Sequence, residues 1–248
     1  MEELLNSLFN WRPASDITPK TEEWANFEVE NKKLAKKVNV KIQTITPDQY
    51  ENVIGFMTQW FLQNETSSKA AKILEDEIST AIWQGLWLRT FQQGISVVAM
   101  TDEETPQIVG ALVICAVSEA DQVKEELPGP AIRRHAKLLT AFDEKINKYK
   151  IYESEYFMQD WGLCTSPEWE NCGIGAKLLS VIPQIGQHYK LPAAIFIFTS
   201  KRSQSLGKKA GFQDYAEVNY ADVKDEAGEC ALPTDSETSA ILAGLKIY

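Results

Sequence analysis

The stretch Leu163-Cys-Thr-Ser-Pro-Glu-Trp-Glu-Asn-Cys-Gly-Ile-Gly-Ala-Lys-Leu-Leu179 decides how the rest of this chain is read. It begins as an extended segment, turns at Pro167 and enters a helix through Gly173-Ile-Gly175. Glycines at such an entry leave the backbone N–H groups uncovered, with no Cβ in the way. The N-terminus of a helix is also partly positive, so the turn suits a phosphate or pyrophosphate. On glycine spacing alone, an anion-binding turn and a packing turn are equally good readings.

Outward from that turn, the neighbouring segments alternate between strand and helix patterns. Tyr156 to Thr165 is the strand that feeds the turn. Beyond it, Ile174, Leu178, Val181, Ile182 and Ile185 line one side of a helix that Pro183 must kink or shorten. Leu191 to Phe198 is a continuous apolar run, the pattern of a strand covered on both faces. Ser203 to Ala210 is a short helix closed by Gly211, and two last strands fall in 213–223 and 239–248.

Upstream, Val38 to Thr46 alternates with period two and makes a first strand. Pro47 opens a helix with Tyr50, Val53, Met57, Trp60 and Phe61 on one apolar face, running out near Asn64-Glu65-Thr66. A second helix is expected to turn Leu74, Ile78, Ala81 and Ile82 inward, with Trp83 and Trp87 extending its core surface. Ile95 to Met100 and Ile108 to Ala116 are strands joined by an acidic turn suited to an antiparallel hairpin. After Pro128-Gly-Pro130, a third helix carries Ile132, Ala136, Leu139 and Phe142 on one face, and His135 reads as a partly exposed packing residue. Residues 1–37 are polar and read as a loosely held extension, on which Leu4, Leu5, Phe9 and Trp11 are the groups able to dock. The expectation is one mixed α/β domain over 38–248, built on a single sheet, behind an extension over 1–37.

Composition narrows the function classes. A formal net charge of −10 over 248 residues argues against a nucleic-acid partner, which requires a basic footprint. Four cysteines without Cys-x-x-Cys spacing and two histidines argue against a metal site. The N-terminus lacks the basic and apolar regions of a signal peptide, and no apolar run is long enough for a bilayer. A reduced, cytoplasmic compartment without a membrane partner is the expected setting. Oligomeric state is not readable.

The order of elements and the residue pattern together resemble the GNAT superfamily of N-acetyltransferases. Thr165-Ser-Pro-Glu-Trp-Glu-Asn-Cys-Gly-Ile-Gly175 is similar to the family's motif A, with Pro167, Trp169, Gly173 and Gly175 in register. Ser203 through Lys209-Ala-Gly-Phe212 resembles motif B. The resemblance covers roughly Asn39 to Tyr248. It implies the GNAT fold, a single central mixed sheet flanked by helices and splayed at an acyl-CoA cleft. It also implies acetyl-CoA or a longer acyl-CoA held by Leu163, Cys164, Thr165, Glu170, Asn171, Cys172, Gly173, Ile174, Gly175 and Ala176. No metal is implied, because the amine attacks the thioester directly.

Within the superfamily, Phe61-Leu-Gln-Asn-Glu-Thr66 resembles a segment of the insect arylalkylamine N-acyltransferases that ends in Asp-Glu-Pro. That likeness makes Glu65 the implied general base, with Thr66 replacing the proline. An alkylamine with a pKa of about 10 is almost all ammonium at neutral pH, so a base is required. The same relatives imply hydroxyls at Thr199 and Ser203, near the CoA thiol or ordering water; Ser203 reads equally well as a helix cap. Two departures stand out. Glu170 occupies a position where Arg or Gln is usual, and Gly207 occupies that of a tyrosine which many members use as an acid. The implied activity is acyl transfer to a small primary amine, an arylalkylamine first. Polyamine, amino-acid or protein amino groups remain open as acceptors, as does acyl-CoA binding without turnover.

Overall fold

The computed structural model describes Trp11, residues 22–121 and residues 127–248. Leu4, Leu5 and Phe9 lie outside the described residues. Eight strands form one sheet: β1 (Glu23–Asn31), β2 (Lys36–Thr44), β3 (Val97–Thr101), β4 (Ile108–Val117), β5 (Phe157–Thr165), β6 (Ala193–Phe198), β7 (Gln213–Asn219) and β8 (Ser239–Lys246). Their order across the sheet is β1-β2-β3-β4-β5-β6-β8-β7. All neighbours are antiparallel except β5 and β6, which the connecting helices place parallel.

Residues alternate between the faces of the sheet, so each side carries its own core. Ala111, Val113, Cys115 and Val117 of β4 face one cluster. Leu112, Ile114 and Ala116 face the other. The first side is covered by α1 (Tyr50–Phe56), α2 (Thr66–Ala71), α3 (Glu77–Phe91) and α4 (Pro130–Lys145); the second by α5 (Ile174–Ser180) and α6 (Ile182–Tyr189). α7 (Lys201–Lys209) packs on β6 near α5. Among the described residues, no helix is long and apolar enough to cross a membrane.

Several expectations hold in detail. The helix after the glycine turn breaks at Val181, with Pro183 in the first turn of α6 where its missing N–H costs nothing. β6 is covered on both faces. Gly211 (φ 93°) ends α7 with Phe212 N–H donating to Gly207 O and Gly211 N–H to Lys208 O, a Schellman arrangement.

Others are corrected. Residues 23–31, inside the stretch read as irregular, form the edge strand β1, paired with β2 along its length. Its apolar side chains Ala25, Phe27 and Val29 alternate with Glu28 and Glu30, and charge on the outward face suits an edge. α3 starts later than expected, because Asp76 caps it by accepting from Ile78 and Ser79 N–H. Its phase then buries Ile82, Trp83, Leu86 and Trp87 and leaves Leu74, Ile78 and Ala81 exposed. α4 buries Ala131, Ile132, His135, Leu138 and Phe142, so His135 is on the core face rather than partly exposed. α7 begins at Lys201, not Ser203.

Candidate active site

The parallel pair β5/β6 is joined only at Met158↔Ala194 and Gln159↔Ile195. One residue further on, the Asp160 carboxylate replaces the ladder, its Oδ1 accepting from Ile197 N–H at 3.2 Å. Beyond Asp160 the strands part. On their outer sides each remains paired, β5 with β4 and β6 with β8, so the opening is held by the sheet itself. The register of β5 on β4 shifts between Val113↔Gly162 and Ile114↔Asp160, placing Trp161 in a bulge. Gly162 sits at φ 131°, and a Cβ there would lie 2.8–2.9 Å from Phe61 and Met57 side-chain atoms. The bulge thus needs glycine both for its backbone and for the approach of the helix above it. That helix segment, Met57–Phe61, is a π-helical turn continuing α1, and such turns accommodate one extra residue per turn.

The gap opens into a cleft of about 1150 Å³ that runs through the sheet. Its first wall is the glycine turn. Pro167–Trp169 forms one tight turn, with Trp169 buried against the core. Asn171 (φ 62°) and Gly173 (φ 80°) are left-handed, and alternation of this kind points successive N–H groups into one concavity. A Cβ on Gly173 would meet nothing within 4 Å, whereas one on Gly175 would touch Leu206 at 3.4 Å and Thr165 at 3.7 Å. Nine of the ten residues expected to hold an acyl-CoA line this wall. Cys172 does not; its Sγ turns to Glu170 O at 3.6 Å and packs toward the core. Burial pushes the Cys164 thiol up to about 12, with the Glu170 charge adding to it. At neutral pH it is therefore a packing thiol and not a nucleophile.

Glu170 does not stand uncompensated. Arg202 of α7 faces it, Nη1 to Oε1 at 3.4 Å, and also donates to Asn171 Oδ1 at 3.4 Å. Arg202 and Lys209 line the cleft, whereas Lys177 lies over the Phe27 ring. The turn is also held from the far edge of the sheet. Asn31, fully buried, donates to Glu168 O at 2.9 Å and accepts from Leu34 N–H; Lys33 donates to Pro167 O at 2.6 Å. Lys36 lies over the Trp169 ring.

The second wall carries Glu65. It is the N-cap of α2, accepting from Ser67 N–H at 2.9 Å and Ser68 N–H at 2.6 Å. One carboxylate therefore both caps a helix and lines the cleft. Thr66 takes the first helical position, which proline also suits, so the substitution leaves the cap geometry unchanged. The Ser67 hydroxyl lies 2.9 Å from both Glu65 oxygens and 3.1 Å from His135 Nε2. Thr199, just past the end of β6, lies beside the Glu65 carboxylate and favours its ionised form. Enclosure by the cleft walls pushes this carboxyl up; His135, the hydrogen bonds from Ser68 and Ser67, and the nearby Thr199 outweigh that, and the net direction is down. Glu65 is thus ionised at neutral pH. Burial pushes the His135 imidazole below its usual value, with the Glu65 charge offsetting part of the effect.

Ser203 lines the cleft but is committed to a reciprocal cap: Ser200 Oγ accepts from Ser203 N–H, and Ser203 Oγ accepts from Ser200 N–H. Gly207 has no room for a larger residue, since a Cβ would lie 2.5–2.9 Å from the Phe198 ring. Aromatic residues face the cleft around Glu65. Trp60, Phe61 and Trp83 line it, and Trp161 joins them from the bulge. Trp87 is buried instead, donating to Trp161 O at 2.9 Å. Asp160 was missed by sequence. Enclosure raises its carboxyl to about 7, and the nearby Glu65 charge adds to the rise. Among the described residues, no group of three or more His, Cys, Asp or Glu is placed to hold a metal.

No protein-family model matches the sequence, and no curated protein matches it. Solved structures do. One from the yellow fever mosquito Aedes aegypti, assigned as arylalkylamine N-acetyltransferase 7, superposes with a TM-score of 0.86 at 19% identity, covering 96% of this chain and 100% of that one. Arylalkylamine N-acetyltransferase 2 of the same mosquito superposes at 0.74 with 19% identity, covering 84% and 99%. A polyamine N-acetyltransferase of Drosophila melanogaster, which forms N-acetylagmatine, superposes at 0.67 with 16% identity over 84% and 99%. The splayed sheet, the glycine turn and these superpositions agree: the chain has the GNAT fold, in the form taken by the insect arylalkylamine N-acetyltransferases.

Proposed function

We propose that this protein is an acyl-CoA-dependent N-acyltransferase that moves an acetyl or longer acyl group onto a small primary amine, an arylalkylamine first. One observation carries the reading. Glu65 and Thr199, from opposite halves of the chain, meet on the wall of a cleft whose other wall is the glycine turn. The open side of Gly173 and the close fit around Gly175 suit a pyrophosphate lying against backbone N–H groups. Residues 163–165 flank the pantetheine path, where a backbone N–H polarises the thioester carbonyl. The amine enters on the tryptophan side, and Glu65 takes its proton, directly or through water. Thr199 orients the carboxylate. Ser203 keeps α7 in place beside the thiol.

The aromatic walls and the negative net charge support a cationic arylalkylamine. The Drosophila neighbour keeps a polyamine-type acceptor in view. CoA binding without turnover is the second reading, favoured by Gly207 where a tyrosine acid is common. The test is thiol release from acetyl-CoA with tryptamine, dopamine, agmatine, spermidine and amino acids. Release with an aromatic amine above the rest supports the reading. Tight CoA binding with no release across the panel sinks turnover.

A further inference from the structure

The geometry points to His135 as the positioning residue of Glu65: through the Ser67 hydroxyl, we propose, it receives the proton that Glu65 takes from the amine. This rests on the reading of Glu65 as base. Ser67 Oγ stands between the two, 2.9 Å from the carboxylate oxygens and 3.1 Å from Nε2, so three polar groups form one unbroken line. Nothing about packing requires that line. Glu65 already caps α2 through two backbone N–H groups without the histidine.

The proton count closes. A carboxylate is acceptor-only, so the Ser67 hydroxyl donates to Glu65 while Glu65 is ionised, and turns to an unprotonated Nε2 once Glu65 carries a proton. When the substrate nitrogen releases its proton to Glu65, the protonated carboxyl donates to Ser67 Oγ as Ser67 gives its own hydrogen to Nε2. Glu65 returns to carboxylate, His135 becomes imidazolium, and no bond between heavy atoms changes. The imidazolium then discharges to water at the cleft, which His135 also lines. Imidazole suits this task because its pKa is close enough to neutrality to accept and return a proton. The titratable groups facing the pair are Asp160 from β5 and Tyr220 after β7, both of which feel the Glu65 charge. From α3 the neighbour is the uncharged Trp83 ring, 5.2 Å from the imidazole. Arg134 on α4 is engaged with Ala71 O.

The chain has two histidines, so imidazole ¹⁵N NMR resolves His135 once His135→Gln assigns it. Glu65→Gln removes the charge that supports the imidazolium, so the His135 midpoint moves to lower pH; an unmoved midpoint overturns the relay without any substrate. With the best amine of the panel, Ser67→Ala and His135→Gln each lower kcat about tenfold, below the roughly 10²–10⁴ expected of a direct base, and leave CoA affinity unchanged. The double variant loses no more than either single one, because both interrupt one line. Losses that multiply, or a wild-type pH profile in both single variants, also overturn it. If Glu65→Gln itself retains full activity, the base assignment falls first; if only the His135 and Ser67 readouts fail, Glu65 stands alone.

Discussion

The two walls of the cleft are built on opposite principles. The glycine turn is one continuous segment whose working groups are backbone N–H donors, shaped by Asn171 and Gly173 in left-handed conformation. The facing wall is assembled from Glu65, His135, Asp160 and Thr199, carried by four separate elements, and its working groups are side chains in a partly dry enclosure. A backbone site depends on where a Cβ is absent. A side-chain site depends on which charges are left ionised. Substitutions on the two walls should therefore fail in different observables.

The largest effect belongs to the side-chain wall. Glu65→Gln is expected to lower kcat by about 10²–10⁴ while CoA binds nearly as before. CoA affinity falling together with the rate would mean that the walls are not separable. Asp160→Asn tests the same wall through stability. The folded carboxyl, at about 7, lies above its unfolded value of about 3.8, so its contribution is fully present below pH 3.8 and lost as pH rises through 7. An amide keeps the acceptor for Ile197 N–H without the charge. The variant should be more stable than wild type by on the order of 2–4 kcal/mol at pH 8, and the gain should vanish near pH 4. Thermal melts at the two pH values decide it; an equal shift at both would mean the carboxyl is well solvated.

The backbone wall should fail in binding. Gly175→Val pushes side-chain carbons into Leu206 and Thr165, at a cost of about 1–3 kcal/mol, and should weaken CoA binding at least about tenfold. Unchanged affinity by calorimetry would remove the cofactor from this turn. Asn31→Ala acts at one remove, leaving the Glu168 carbonyl without its donor, for about 1–2 kcal/mol in stability. CoA affinity should fall with it, because the hairpin between β1 and β2 holds the turn.

How far the sequence could be read follows the same division. Pro167, Trp169, Gly173 and Gly175 announce their wall, since glycine and proline are chosen for backbone geometry and geometry is local. β6 was legible for a similar reason: a strand covered on both faces is apolar throughout. Glu65 came into view only through its resemblance to known enzymes. His135 and Asp160 carried no local signal at all. A histidine's role depends on which face of α4 is buried, and that is set by packing against α3. Asp160 matters because β5 and β6 part at that residue, a property of two strands. The alternation in β1 was present in the sequence, but charges on its outer face made an edge strand look like a polar extension.

Glu170→Gln sets the wall's smallest effect and its sign. An acid beside a pyrophosphate at a solvent-screened separation costs about 1 kcal/mol or less. Here the carboxylate is held by Arg202, whose guanidinium also bonds Asn171 across the turn. Removing the charge eliminates that repulsion and frees Arg202 to face a phosphate. CoA should bind up to about fivefold more tightly at low salt, with the gain shrinking as salt screens both terms. Weaker binding would reverse the interpretation: the Glu170–Arg202 pair would then shape the turn, and the backbone wall would depend on a side-chain charge after all.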